Sequence, residues 1–201
     1  MKKGFSLVEM LVVIGIIAVL LGASLGAYSK MTASAEKAKC SELVANTATA
    51  LAVMFQQEGV WPRALRSQGG SDGELDASAA VPLAKYMSLS TNGDGTRLTG
   101  LDRFGIVTPW AASVFKCRGN SASLSDKVGD YTVKDHMLHY ALDLDGDGII
   151  DGASVGGESI SVRAAAIVWC CGKDGKIEAY SKGLRSDDVY SWTKGQTQNV
   201  K

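Results

Sequence analysis

The sequence predicts an α+β chain: one long N-terminal helix, apolar in its first half and amphipathic in its second, followed by a small antiparallel β-sheet with acidic loops. Three observations carry this. Residues 10–29 contain no charged side chain, and residues 30–58 contain neither Pro nor Gly. Beyond residue 100, short runs rich in β-branched and aromatic residues alternate with turn sequences. Asp and Gly cluster in two places, at Asp143–Asp151 and between Cys171 and Asp188. The 201 residues suffice for one domain with an appendage. The net charge of +0 excludes a global basic field for nucleic acid, and 46% apolar content excludes a disordered chain.

The first element starts behind Lys2 and Lys3. Its uncharged run, as a helix, spans about 30 Å, the thickness of a bilayer's hydrocarbon core. The two lysines place the N-terminus in the cytoplasm and everything after Lys30 across the membrane. A cleaved secretory signal is disfavoured by the length of the run and by Glu9 at its head. A plain single-span anchor leaves Glu9 unexplained. A carboxylate costs about 2.5–3.5 kcal/mol or more at mid-bilayer depth, so Glu9 needs a partner.

The helix continues to about Glu58. Cys40, Val44, Ala48, Leu51, Ala52 and Phe55 fall on one stripe of a 3.6-residue period, the face offered to the body. Gly59 supplies a left-handed C′ position, and Pro62 follows. From Ser6 to Glu58 such a helix would be roughly 80 Å long. Gly15, Gly22 and Gly26 are either small-residue contact points or ordinary membrane-helix glycines. Residues 67–80 read as loop, 81–90 as a short helix or strand, and 91–95 as a turn. Strands are predicted at Phe104–Thr108, Met137–Leu142, Ser159–Trp169 and Lys176–Tyr180.

In the first acidic loop, Asp143, Asp145, Asp147 and Asp151 stand at positions 1, 3, 5 and 9, with the Ile149 carbonyl at 7. Carboxylates at alternate positions converge on a hard cation while Gly148 allows a sharp turn, which points to calcium. Ser154 at position 12 excludes a true EF-hand. A solvated Asp-Gly hairpin turn is the alternative. In the second cluster, Asp174 sits in a tight turn and the adjacent pair Asp187–Asp188 follows, demanding a compensating charge if they approach it.

Gly4, Phe5-Ser6-Leu7-Val8-Glu9 and the apolar run resemble the N-terminal leader of type IV pilins and of the pseudopilins of type II secretion systems. The resemblance implies cleavage by a prepilin peptidase between Gly4 and Phe5 and N-methylation of Phe5. It implies pairing of Glu9 with the N-terminal amine of a neighbouring subunit. Residues 169–192 resemble the end of the major pseudopilin, with its Gly-x-Asp-Gly turn and Asp-Asp-x-x-Ser-Trp. This implies a calcium site made by side chains of Asp174, Asp187 and Asp188 and backbone oxygens of Cys171 and Leu184. Val60-Trp61-Pro62 and Pro109-Trp110 are further partial matches; the double cysteine Cys170-Cys171 departs from the family.

The expected fold is therefore pilin-like, with a leader over 1–4, a membrane and filament-core half over 5–29, an amphipathic half over 30–58 and a periplasmic β-rich body over 59–201. The expected function is a non-enzymatic filament subunit, the major pseudopilin of type II secretion, stored in the inner membrane and assembled in the periplasm with Ca2+ bound. Implied partners are copies of itself, prepilin peptidase, minor pseudopilins, an inner-membrane platform with its ATPase, membrane lipid and, indirectly, an outer-membrane secretin and secreted proteins. Nucleic acid is not expected. The alternatives are a type IV pilus pilin and a membrane-anchored calcium-binding module without a filament.

An oxidising compartment permits disulfides among Cys40, Cys117, Cys170 and Cys171. On a strand Cys170 and Cys171 point to opposite faces, so one of them can reach Cys117. Zinc is disfavoured because no C-x-x-C spacing occurs. His136 and His139 match no catalytic motif and read as structural. Trp110, Trp169 and Trp192 read as core.

Overall fold

The computed structural model describes residues 7–182 and 187–198, without the side chains of 23–27, 182, 194 and 198. Helix α1 runs Leu7–Glu58 over 52 residues, as the absence of Pro and the run of good helix formers require. The chain divides into two compact units, Met1–Glu36 and Lys37–Lys201.

In the first unit the described residues are helical. Leu7, Ile14 and Val19 are 81%, 62% and 72% exposed, and their apolar neighbours behave alike. A Cβ added at Gly15 or Gly22 would meet nothing within 4 Å. Among the described residues no helix is long and apolar enough to cross a membrane. The uncharged run of the sequence is counted through residues 23–27, whose side chains lie outside the description.

In the second unit α1 buries Cys40, Val44, Thr47, Ala50, Leu51 and Met54. The predicted stripe is present, widened by Thr47 and Met54. Thr47 is tolerated there because its hydroxyl donates to the Leu43 carbonyl, 2.7 Å away, so no polar hydrogen is stranded. The helix ends as expected: Gly59 takes φ +70° and its N–H donates to the Phe55 carbonyl at 2.8 Å.

Short elements follow: α2 (Arg63–Arg66), β1 (Gly73–Glu74), α3 (Ala77–Ala80), a 3₁₀ turn (Val81–Lys85), α4 (Pro109–Arg118), β2 (Lys127–Val128) and β3 (Tyr131–Thr132). The longer strands are β4 (His139–Leu142), β5 (Ile150–Val155), β6 (Glu158–Val162) and β7 (Ala166–Cys170), before β8 (Val189–Tyr190) and β9 (Thr197–Gln198). All described strand pairs are antiparallel. One sheet has the order β1-β4-β7-β8, a second β5-β6-β9, and β2 pairs with β3.

Alternation along the strands of the first sheet separates two cores. Tyr140, Leu142, Val168 and Cys170 join the α1 stripe, with Leu65, Leu75 and Leu83. Ala141, Ile167 and Trp169 pack on the other side with Ile150, Val155, Val162 and Trp192. A third cluster surrounds Phe115 of α4, with Val107, Val133 and Met137.

Several expectations are corrected. Ser159–Trp169 is two strands in different sheets, β6 and β7, parted at 163–165. Phe104–Thr108 makes only isolated bridges, Asp76 to Gly105 and Val107 to Met137. Lys176–Tyr180 forms no strand, because backbone amides there turn to carboxylates. The loop over 67–80 contains β1 and α3, the latter capped by Asp76 accepting from Ser78 and Ala79. Burial would raise the Asp76 carboxyl, but those two amides with the Ser78 hydroxyl and the Gln68 side chain outweigh it and hold the group below its usual range. Trp110, Trp169 and Trp192 are core residues, as read from the sequence.

Candidate functional site

The first acidic loop joins β4 to β5. Asp143 leaves β4 buried, and its carboxylate folds back into its own loop. Oδ1 accepts from Gly146 N at 2.7 Å and Oδ2 from Gly148 N at 2.8 Å. Both glycines stand at φ +83°, a backbone that L side chains avoid. Asp147 accepts from Ile149 N at 2.7 Å. The spiral brings carboxylate oxygens of Asp143, Asp145 and Asp147 within 4.8 Å of one another, with Asp145 and Asp147 exposed. Three hard oxygen donors on a backbone already turned suit a calcium-class cation. Asp151 is outside that group; it lies on β5 and lines a shallow cavity with Asp145, Ile149 and Leu144. The loop is anchored by Trp61, whose Nε1 donates to the Asp143 carbonyl at 2.7 Å. Nothing in the sequence spacing announced that bond, although the indole directly follows the helix-ending Gly59-Val60.

The second cluster is built differently. Asp188 is buried and accepts from Gly172 N at 3.1 Å, Glu178 N at 2.8 Å and the Tyr190 hydroxyl at 3.1 Å. Asp187 accepts from Lys173 N at 2.7 Å, and Asp174 from Lys176 N at 3.0 Å. A Cβ at Gly172 would collide with the Asp187 carboxylate, so any side chain there would displace that carboxylate. Among the described residues Asp174, Asp187 and Asp188 do not converge as the first loop's carboxylates do. Asp174 and Asp187 line one surface cavity with Asp130, Lys173 and Lys176. The lysines bring positive charge to that rim. Leu184 lies outside the described residues, as do Gly4 and Phe5. Glu9 is exposed in the first turn of α1.

Cys171 turns away from Cys170. Its Sγ donates to the Asp135 carbonyl at 3.4 Å and lies 3.3 Å from His136 Nδ1. His136 is buried, with Thr108 Oγ1 3.1 Å from the same nitrogen, and burial pushes its pKa below the ordinary value. His139 Nδ1 stands 2.6 Å from Asp72 Oδ1. All four cysteines are free thiols; Cys117 is exposed on α4, and the expected bond from it to Cys170 or Cys171 is not formed.

Residues 1–25 match the family model of the prokaryotic N-terminal methylation motif. Over 69 residues, 34% of this chain, the sequence is 32% identical to the type IV major pilin protein PilE of Neisseria gonorrhoeae. The match spans 41% of that pilin's length. No solved structure matches the chain. The chain thus carries a type IV pilin signal and is pilin-like, with a long N-terminal helix and an antiparallel sheet.

Proposed function

We propose that this chain is the subunit of a helical filament. It is made as a precursor, cut between Gly4 and Phe5 by a prepilin peptidase and methylated on the Phe5 amine. The observation that carries the reading is the methylation motif over residues 1–25 running directly into a helix with exposed apolar side chains. Removed from water, those side chains gain about 25 cal/mol per Å² of apolar surface, in lipid before assembly and among copies of the same helix afterwards. Glu9 is then neutralised by the Phe5 amine of a neighbouring copy, which sets the axial register. The role is structural rather than enzymatic.

The finer reading is the major pseudopilin of a type II secretion system. The precursor would be single-pass in the inner membrane with its body in the periplasm. It would assemble there with minor pseudopilins on a platform driven by an ATPase, and act through a secretin on secreted proteins. The closed loop over Asp187-Asp188 and Ser191-Trp192 supports it. The likeness to the gonococcal pilin favours a second reading, a pilus pilin. In either, Asp143, Asp145 and Asp147 would hold Ca2+, which neutralises loop carboxylates that otherwise repel one another.

Co-expression with a prepilin peptidase tests the class. The product should begin at N-methylated Phe5 by mass spectrometry, and electron microscopy should show fibres that Glu9→Ala abolishes. Short periplasmic fibres support the pseudopilin and long surface fibres the pilus. An intact Gly4–Phe5 bond would leave a membrane-anchored module and sink the filament reading.

A further inference from the structure

Cys40 and Cys170 belong to elements far apart in sequence and to one buried cluster. Cys40 lies on the buried stripe of α1 and Cys170 ends β7, and both are 0% exposed. The alternation of β7 sends Val168 and Cys170 to the side occupied by α1, and Ile167 and Trp169 to the other. Within that cluster the Cys40 side chain is close enough to the Cys170 thiol to help keep it protonated. Cys171 is engaged with Asp135 and His136, and Cys117 is exposed on α4. We propose that Cys40 and Cys170 are a disulfide-forming pair that fastens the second half of α1 to the central sheet. The inference rests on two side chains of the body and stands whether or not the chain polymerises.

The chemistry requires a disulfide donor, either a small disulfide or a protein thiol–disulfide oxidoreductase. The Cys40 thiolate attacks a donor sulfur, forming a mixed disulfide and releasing one donor thiol. The Cys170 thiolate then attacks the Cys40 sulfur and releases the second. The two protein thiols lose two protons and two electrons, and the donor gains both. Contact with Cys40 and burial keep the folded Cys170 thiol protonated. The first exchange therefore takes place before α1 has closed over the sheet, or through an open state. Once formed, the bond is shielded from reductants by the same burial. It also constrains the unfolded chain across the long loop from residue 40 to residue 170.

The test uses the full chain in detergent, refolded with a mixture of reduced and oxidised glutathione, alkylated with iodoacetamide and digested. A peptide linking Cys40 to Cys170, lighter by two hydrogens than its parts, is expected, with Cys117 and Cys171 alkylated. Reductant should lower the melting temperature by roughly 5–15 °C. Cys40→Ala and Cys170→Ala should each abolish that shift, and Cys117→Ala should leave it intact. Four alkylated cysteines after oxidation, or a link from Cys170 to Cys171 or Cys117, would overturn the proposal. If the alanine variants do not fold, the peptide map of the unmodified chain decides alone.

Discussion

The two acidic loops use the same residue type in opposite ways. Between β4 and β5, alternate spacing lets Asp143 organise the backbone while Asp145 and Asp147 stay in solvent with oxygens converging. Before β8, the adjacent pair Asp187–Asp188 accepts backbone amides from three positions early in the same β7–β8 connection, at Gly172, Lys173 and Glu178. A carboxylate that only holds amides is a structural staple; one whose oxygens also face those of its neighbours, as at Asp143, Asp145 and Asp147, invites a cation. Local spacing decides which, because it sets whether the chain curls around its own side chains or lays them against a neighbour.

The comparison breaks most severely at Asp188. Asp188→Ala should cost about 3 kcal/mol, because it strands amides that were accepted by a buried carboxylate. Urea denaturation in chelator should show the loss undiminished. A loss seen only when calcium is present would make Asp188 a ligand after all. Next in size is the first loop. At 10–100 times the dissociation constant, calcium should stabilise the chain by about 1.4–2.7 kcal/mol. With the weak affinity of extracellular modules, about 10⁻⁴–10⁻³ M, that needs millimolar concentrations or more. Asp145→Ala should erase the calcium-induced rise in melting temperature at little intrinsic cost, and a rise that survives it would remove the loop as the site.

A pH titration sharpens the contrast further. The folded state holds His136 below its ordinary pKa of 6.5 through burial, opposed by Asp135, Asp174 and Asp187. The unfolded chain therefore binds the proton first, and stability is lost as pH falls from about 6.5 towards the folded value. The urea midpoint should drop between pH 7 and pH 5 and flatten in His136→Gln; a flat profile in the unmodified chain would refute this. The smallest effect is expected from Asp187→Asn, about 0.5 kcal/mol, since an amide oxygen can still accept from the exposed Lys173 N–H. A loss as large as that of Asp188→Ala would show that charge, rather than hydrogen bonding, closes the loop.

What was legible in the sequence was local. The helix, its glycine stop and the curl of the first loop each follow from residues within a few positions of one another. Helix α4 was also announced, by Thr108 at its N-cap and Pro109 in its first turn, a signal hidden by the β-branched run just before it. Non-local features were not legible. The break at 163–165 depends on β6 and β7 serving different sheets. Cys40 shares a buried cluster with Cys170 because α1 covers one face of β7, a proximity that no spacing in the chain encodes. The amides that Asp188 collects lie ten and sixteen residues upstream and could not be counted from spacing.

The bond from Trp61 to the Asp143 carbonyl has an optical consequence. The indole is stacked on Phe55, with ring centroids 4.6 Å apart, so it is held still while its one polar hydrogen ends on the first residue of the acidic loop. Indole emission shifts when the partner of that hydrogen moves. With Trp110, Trp169 and Trp192 replaced by Phe, the remaining fluorophore would report the state of the loop through a single hydrogen bond, in a chain that carries no added label.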